Sequence, residues 1–154
     1  MFGLPDPRQL RRAADIARSM GRRRLEQARA ERQLPPLREQ ELFLTTASGY
    51  RMLVRVVEPS DDRPRPAVVL VPGRDQDSRI FSQRPYILSA WEVAARGVRA
   101  VAFDPVGRGQ SWGHDDFCGS EGQDGLRAVL DYTFARRDVV RSRVAVFSFS
   151  MGLG

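Results

Sequence analysis

Three short apolar runs restrict this chain more than anything else in it: AVVLV at 67–71, VRAVAF at 98–103 and RVAVFS at 143–148. AVVLV lacks the apolar–polar alternation of a half-exposed strand, so it reads as a strand covered on both faces, and the other two read the same way. Between the first two, RPYILSAWEVAARG (84–97) sets Ile87, Leu88, Trp91, Ala94 and Ala95 on one helical face and ends on Gly97. Before the third, Ser120 and Gln123 have capping-box spacing, and the helix they open sets Leu126, Val129, Leu130 and Phe134 on one face. Strand, helix, strand, helix, strand at this spacing implies right-handed parallel crossovers with helices on both faces of a mostly parallel sheet. The fold class is α/β.

Upstream, ELFLTT and YRMLVRVVE flank Ala47–Ser48–Gly49 and read as an antiparallel hairpin, and DDRPRP (61–66) is a proline-stiffened turn before AVVLV. The first 34 residues read as a helix, with Asp6 as cap, Pro7 at its first position and Leu10, Ala13, Ala14, Ala17, Met20, Gly21, Leu25 and Ala28 at helical spacing. That face is mostly alanine, and Gly21 costs about 1 kcal/mol relative to alanine. Pro35–Pro36 end the helix. Two units follow: an Arg-rich helix with its proline boundary at 1–36, and an α/β domain at 37–154.

Open α/β sheets place ligands at the carboxyl ends of their strands. There this chain carries VPGRD (71–75), DPVGRGQS (104–111) and SFSMG (148–152). S-x-S-x-G is a weak pattern alone, but here a buried strand runs directly into it. A nucleophile on a strand-to-helix turn must have its hydroxyl pushed clear of the backbone, and the tight turn requires small residues two positions away on each side, as Ser148 and Gly152 are around Ser150. Gly107, Gly109 and Gly113 follow a strand as in a dinucleotide loop, but no helix opens until about Ser120, so they read as turn glycines around Asp104, which can accept backbone hydrogen bonds within its loop.

In the order of these parts, from about residue 41 to 154, the chain resembles the α/β-hydrolase family, and within it the dienelactone-hydrolase-like and prolyl-oligopeptidase-like branches. A hairpin leads to a strand ending in an oxyanion loop, a helix to a strand ending in D-x-x-G-x-G-x-S, and a second helix to a strand ending in the nucleophile elbow. The resemblance implies that Ser150 is the nucleophile, forming an acyl-enzyme from a carboxylic ester or small peptide. It implies that the backbone N–H groups of Met151 and Arg74 are the oxyanion donors, each worth about 3 kcal/mol. Ser148 stands where the family commonly has glycine, and Pro72 where it usually has histidine. The family's catalytic acid and base follow the nucleophile in chain order, whereas only Leu153 and Gly154 lie beyond the motif. The resemblance therefore leads to the expectation of an N-terminal fragment or truncated product of a serine hydrolase, inactive as it stands, with RVAVFS left as an unpaired edge.

The chain is 42% hydrophobic and 29% charged, a globular balance, and its longest purely apolar run is Ala67–Val71, so no membrane span is expected. The N-terminus has charges and prolines where a signal peptide carries its apolar core. Cys118 is the only cysteine, which excludes an intramolecular disulfide and fits a cytoplasmic protein. All 25 basic residues are arginine, in line with genome composition. Residues 1–40 hold ten of them against five acidic residues, but Asp15, Glu26 and Glu31 interrupt the charge and no aromatics interleave it, so no nucleic-acid partner is expected. His114, the only histidine, precedes the nucleophile beside Asp115 and Asp116 and reads as a loop residue rather than a base. The crowding of His114, Asp115, Asp116 and Cys118 does not match metal-ligand spacing. No cofactor or metal is expected, and the partner is a small-molecule ester or peptide. A second reading remains open, a non-catalytic module that binds through an exposed edge or through the arginine-rich helix.

Overall fold

The computed structural model describes residues 15, 18–22, 35–82, 88–148 and 150. The chain divides into two compact units, Met1–Leu34 and Pro35–Gly154. In the first, Asp15 and residues 18–22 are helical, with Arg18 donating to the Asp15 carboxylate at 2.9 Å and Met20 exposed. The expected cap at Asp6 and Pro7 and most of the expected apolar face lie outside the described residues.

The second unit runs β1 (Leu37–Thr45), β2 (Arg51–Pro59), β3 (Arg65–Val71), a 3-10 turn (Ser78–Phe81), α1 (Ala90–Ala94), β4 (Arg99–Phe103), α2 (Ser120–Ala135) and β5 (Val139–Ser148). The five strands form one mixed sheet in the order β1-β2-β4-β3-β5. β2 is antiparallel to β1 and β4, while β3 is parallel to β4 and β5, so β2 alone runs against the rest. The hairpin turn expected at 47–49 is present, closed by Thr46 N–H to the Tyr50 carbonyl at 2.9 Å. β1 starts at Leu37, earlier than ELFLTT suggests, because the charged LREQ stretch pairs along β2 as an edge strand, where charge is tolerated. β3 likewise begins inside the proline-rich turn, and the register slips between Arg65 and Ala67, where Pro66 has no N–H to give.

The pleat sorts the core into two layers. On one face Val54, Val56, Val69, Val101, Phe103 and Val129 of α2 are buried together. On the other, Leu70, Ala100 and Ala102 meet Phe81, Ala90 and Ala94. Alanine on β4 against alanine on α1 lets that short helix lie close to the sheet. Each fully buried valine or leucine contributes about 1.5–3 kcal/mol.

Several expectations change. Among the described residues the helix expected over 84–97 is Ala90–Ala94, since Ser89 is extended (φ −95°, ψ 133°) and Leu88 lies in a bend; 84–87 lie outside the described residues. Gly97 still turns the chain at its end (φ 79°), but Ala95 is exposed, and Ile87 lies outside the described residues. Gly119, not Ser120, is the cap of α2, and the Asp116 carboxylate does the capping, accepting from Glu121 N–H at 2.7 Å and Gly122 N–H at 3.1 Å. α2 buries Gly125, Val129 and Thr133, whereas Leu126 and Leu130 are half-buried and Phe134 is exposed. β5 lies at the sheet edge, as expected of RVAVFS, but it is not covered on both faces as its apolar run suggested: Ala145 and Val146 are exposed, and it extends back to Val139.

At the amino ends of β3, β4 and β5 lies a buried ionic cluster that the apolar pattern concealed. Arg99 and Glu58 have fully buried side chains in an ion pair, and Arg99 also reaches the Asp138 carboxylate at 2.9 Å and the backbone carbonyls of Asp61, Arg63 and Asp138. Arg38 and Arg136 bring further charge to Glu58, at 2.9 and 2.7 Å. Arg99→Leu takes from Glu58 its fully buried partner, leaving it only Arg38 and Arg136, and strips three backbone carbonyls of their donor, so it should cost about 3–5 kcal/mol in urea unfolding, with part recovered in Glu58→Leu/Arg99→Leu.

The hydrogen bond from Arg136 holds the Asp138 carboxyl below the usual carboxylate range. A depressed folded-state pKa adds stability that is complete above the unfolded value, about 4, and is lost as pH falls through the lower folded value. The urea midpoint should therefore be level from about pH 7 to 5 and fall below about pH 4, less steeply in Asp138→Asn.

Candidate active site

The register brings the three motifs together. Leu70 is level with Ala102 on one side and Phe147 on the other, and Val71 is level with Ser148. The loops after β3, β4 and β5 therefore leave the same end of the sheet, with 72–77 between the other two.

Ser150 follows β5 with φ 55° and is exposed. A non-glycine residue in the left-handed region is under local strain. Here it sits where a strand gives way to the next segment, carrying its side chain into solvent. Met151 lies outside the described residues.

Arg74 is in the turn after β3. Its side chain is exposed, 3.6 Å from the Asp75 carboxylate and with its guanidinium 5.1 Å from the Phe117 ring centre. The turn is tied by Gln76: its N–H donates to the Gly73 carbonyl at 3.3 Å and its side-chain oxygen accepts from Gly73 N–H at 3.1 Å. Asp75 follows in the left-handed region at φ 57°.

Two acidic groups hold the surrounding loops. Asp104, 2% exposed, accepts from Ser78 N–H at 2.9 Å, from the Ser78 hydroxyl and from Gln110 N–H at 2.8 Å. Its role as an acceptor within its own loop was legible in the sequence; its grip on Ser78, which ties the β3 loop to the β4 loop, was not. Asp115 takes a two-point bond from Arg108 at 2.7 and 2.9 Å, and the third guanidinium nitrogen of Arg108 reaches the Gly73 carbonyl at 2.9 Å. The pair holds the Asp115 carboxyl below its ordinary range and raises Arg108 above its own, in each case chiefly through the shared hydrogen bonds. Sequence reasoning missed Arg108. The only local signal is an opposite charge seven residues on in the same loop.

The three loop glycines all take positive φ, 77°, 54° and 99° at Gly107, Gly109 and Gly113. At Gly107 a Cβ would lie 2.2 Å from Asp115 N, and at Gly109 2.1 Å from Asp104 Oδ2. They shape the turn that α2 follows only at Ser120. Beside this loop a cavity of about 60 Å³ is lined by Pro72, Phe103, Val106, Cys118 and Leu126, and a groove of about 130 Å³ by Arg74, Arg108, Phe117 and Cys118. His114 is exposed on the same loop, and no group of three or more His, Cys, Asp or Glu among the described residues could hold a metal ion. Among those residues no helix is long and apolar enough to cross a membrane. Gly109→Ala should destabilise the chain by more than about 1 kcal/mol in urea unfolding, because the methyl group meets both forbidden backbone space and the Asp104 carboxylate.

No protein-family model matches the chain, and no curated protein matches it in sequence. Solved structures do. It is similar to the α/β hydrolase GrgF from Penicillium sp. sh18 (TM-score 0.60, 19% identity), covering 73% of this chain and 37% of that one. It is similar to the esterase Pf2001 from Pyrococcus furiosus (TM-score 0.58, 19% identity; 75% and 44%). It is also similar to acetyl xylan esterase 1 from Thermoanaerobacterium sp. JW/SL YS485 (TM-score 0.56, 19% identity; 81% and 49%). The chain spans less than half the length of each. At this identity the likeness is one of fold, and with the strand order and loop placement above it identifies the chain as carrying part of the α/β-hydrolase fold.

Proposed function

We propose that this chain carries the nucleophile and oxyanion loop of a serine hydrolase that cleaves carboxylic esters or small peptides through an acyl-enzyme. The observation that carries the reading is the left-handed backbone of Ser150, two residues past the last residue of β5, whose end stands level with that of β3. In this reading the Ser150 hydroxyl attacks the substrate carbonyl carbon and gives up its proton to a base. The negative oxygen of the tetrahedral intermediate is held by the N–H groups of Met151 and Arg74. The alcohol or amine departs, and water then releases the acid from Ser150. The resemblance implies that the acid and the base follow Ser150 in chain order. The chemistry needs no cofactor. Ester cleavage is favoured over peptide cleavage because structures of similar fold are esterases by name.

The exposed apolar edge of β5, with Val146 41% exposed, favours the second reading, a non-catalytic binding module. A fluorophosphonate probe separates the two. Applied to this chain and to the longest reading frame that contains it, the probe should label the longer protein, and the label should vanish in Ser150→Ala. No label on either form would overturn the hydrolase reading.

A further inference from the structure

We infer that Arg108 is a positioning residue that sets the direction of the Arg74 N–H. This inference rests on the serine-hydrolase reading and adds to it a residue that does not touch the substrate. The carbonyl of Gly73 and the N–H of Arg74 belong to one peptide unit. That unit is planar, and in its usual trans form the carbonyl and the N–H point in opposite directions. Whatever fixes the carbonyl therefore fixes the donor.

The Gly73 carbonyl accepts from Arg108 Nη1 at 2.9 Å and from Gln76 N–H at 3.3 Å. The Arg108 contact is the shorter of the two and charge-assisted, hence the stronger. Arg108 is itself hard to displace, with its side chain 9% exposed and its other nitrogens held by Asp115 at 2.7 and 2.9 Å. Gly73 is where such a clamp is needed, since a residue without Cβ is the easiest to rotate about its peptide planes. With the guanidinium in place, turning the 73–74 peptide over would break two hydrogen bonds and aim an N–H at a buried cation. Without it, only the longer Gln76 contact resists. A donor aimed wrongly is lost to the transition state while ground-state binding is largely kept, so the effect belongs in kcat rather than KM.

The test uses the longest reading frame containing this chain, with p-nitrophenyl acetate as substrate and fluorophosphonate labelling in parallel. Arg108→Met should lower kcat at least about 10-fold with KM within about 3-fold of wild type, and Arg108→Lys should recover part of the loss. A kcat equal to wild type, or a loss confined to KM, overturns the inference. If Arg108→Met no longer unfolds cooperatively, Asp115→Asn decides, because it keeps the guanidinium and loosens it. A several-fold lower kcat at unchanged KM supports the inference, and an unchanged kcat overturns it. A wild-type protein that the probe does not label overturns the hydrolase reading and this inference together, whereas a labelled wild type with a fully active Arg108→Met overturns this inference alone.

Discussion

β3 is hydrogen-bonded along both edges, to β4 through Ala67–Leu70 and to β5 through Ala67–Val71. All three strands run the same way. This double parallel pairing is the constraint on which the rest depends, because it sends the three following loops out at one end of the sheet and gathers the three strand starts at the other. Parallel neighbours need crossovers, and the crossovers supply α1 and α2 on opposite faces. β2 enters antiparallel beside β4, so the hairpin shields the edge of the parallel core.

Each end of the sheet then has a charge problem, solved in each case by arginine forked onto carboxylate. At the strand starts Arg99 is wholly buried and bonds to Glu58, Asp138 and three backbone carbonyls. At the strand ends Arg108 spans Asp115 and the Gly73 carbonyl. Arg65 and Arg136 make similar two-point contacts, with Asp61 and Asp138. A lysine ammonium has no planar fork and could not hold several acceptors at these angles. The all-arginine composition reads at genome level, but at these four positions the guanidinium shape is used.

The strands were legible because burial on both faces leaves a mark in consecutive residues, as AVVLV shows. The hairpin turn and the turn at Gly97 that follows α1 were legible through residues that tolerate tight turns. Other features depend on partners far away in sequence and leave no local mark. β5 has the same apolar run as β3 yet is half exposed, since exposure is set by sheet order and not by composition. LREQ is a strand only because β2 pairs with it. The cap of α2 comes from Asp116, while the Ser120 and Gln123 spacing that pointed to a cap lies inside the helix. In the proposed site, the expectation at Ser150 rests on its immediate neighbours, which a strained turn restricts, whereas Arg108 acts on the loop of another strand.

Pro72 looks at first like a weakness of the proposed oxyanion loop, since the family usually has histidine there. Its consequence is to narrow the choice of donor. Proline has no N–H. The next N–H, that of Gly73, is occupied by the Gln76 side chain at 3.1 Å. The first peptide of this loop left to serve a developing negative charge is that of Arg74, and its carbonyl side is the one Arg108 holds. Proline, glutamine and arginine thus act on three successive peptide units: the first cannot donate, the second is already donating, and the third is held in one orientation. On the proposed reading, the departure from the family pattern at Pro72 and the unforeseen contact of Arg108 are two parts of one arrangement for presenting a single N–H.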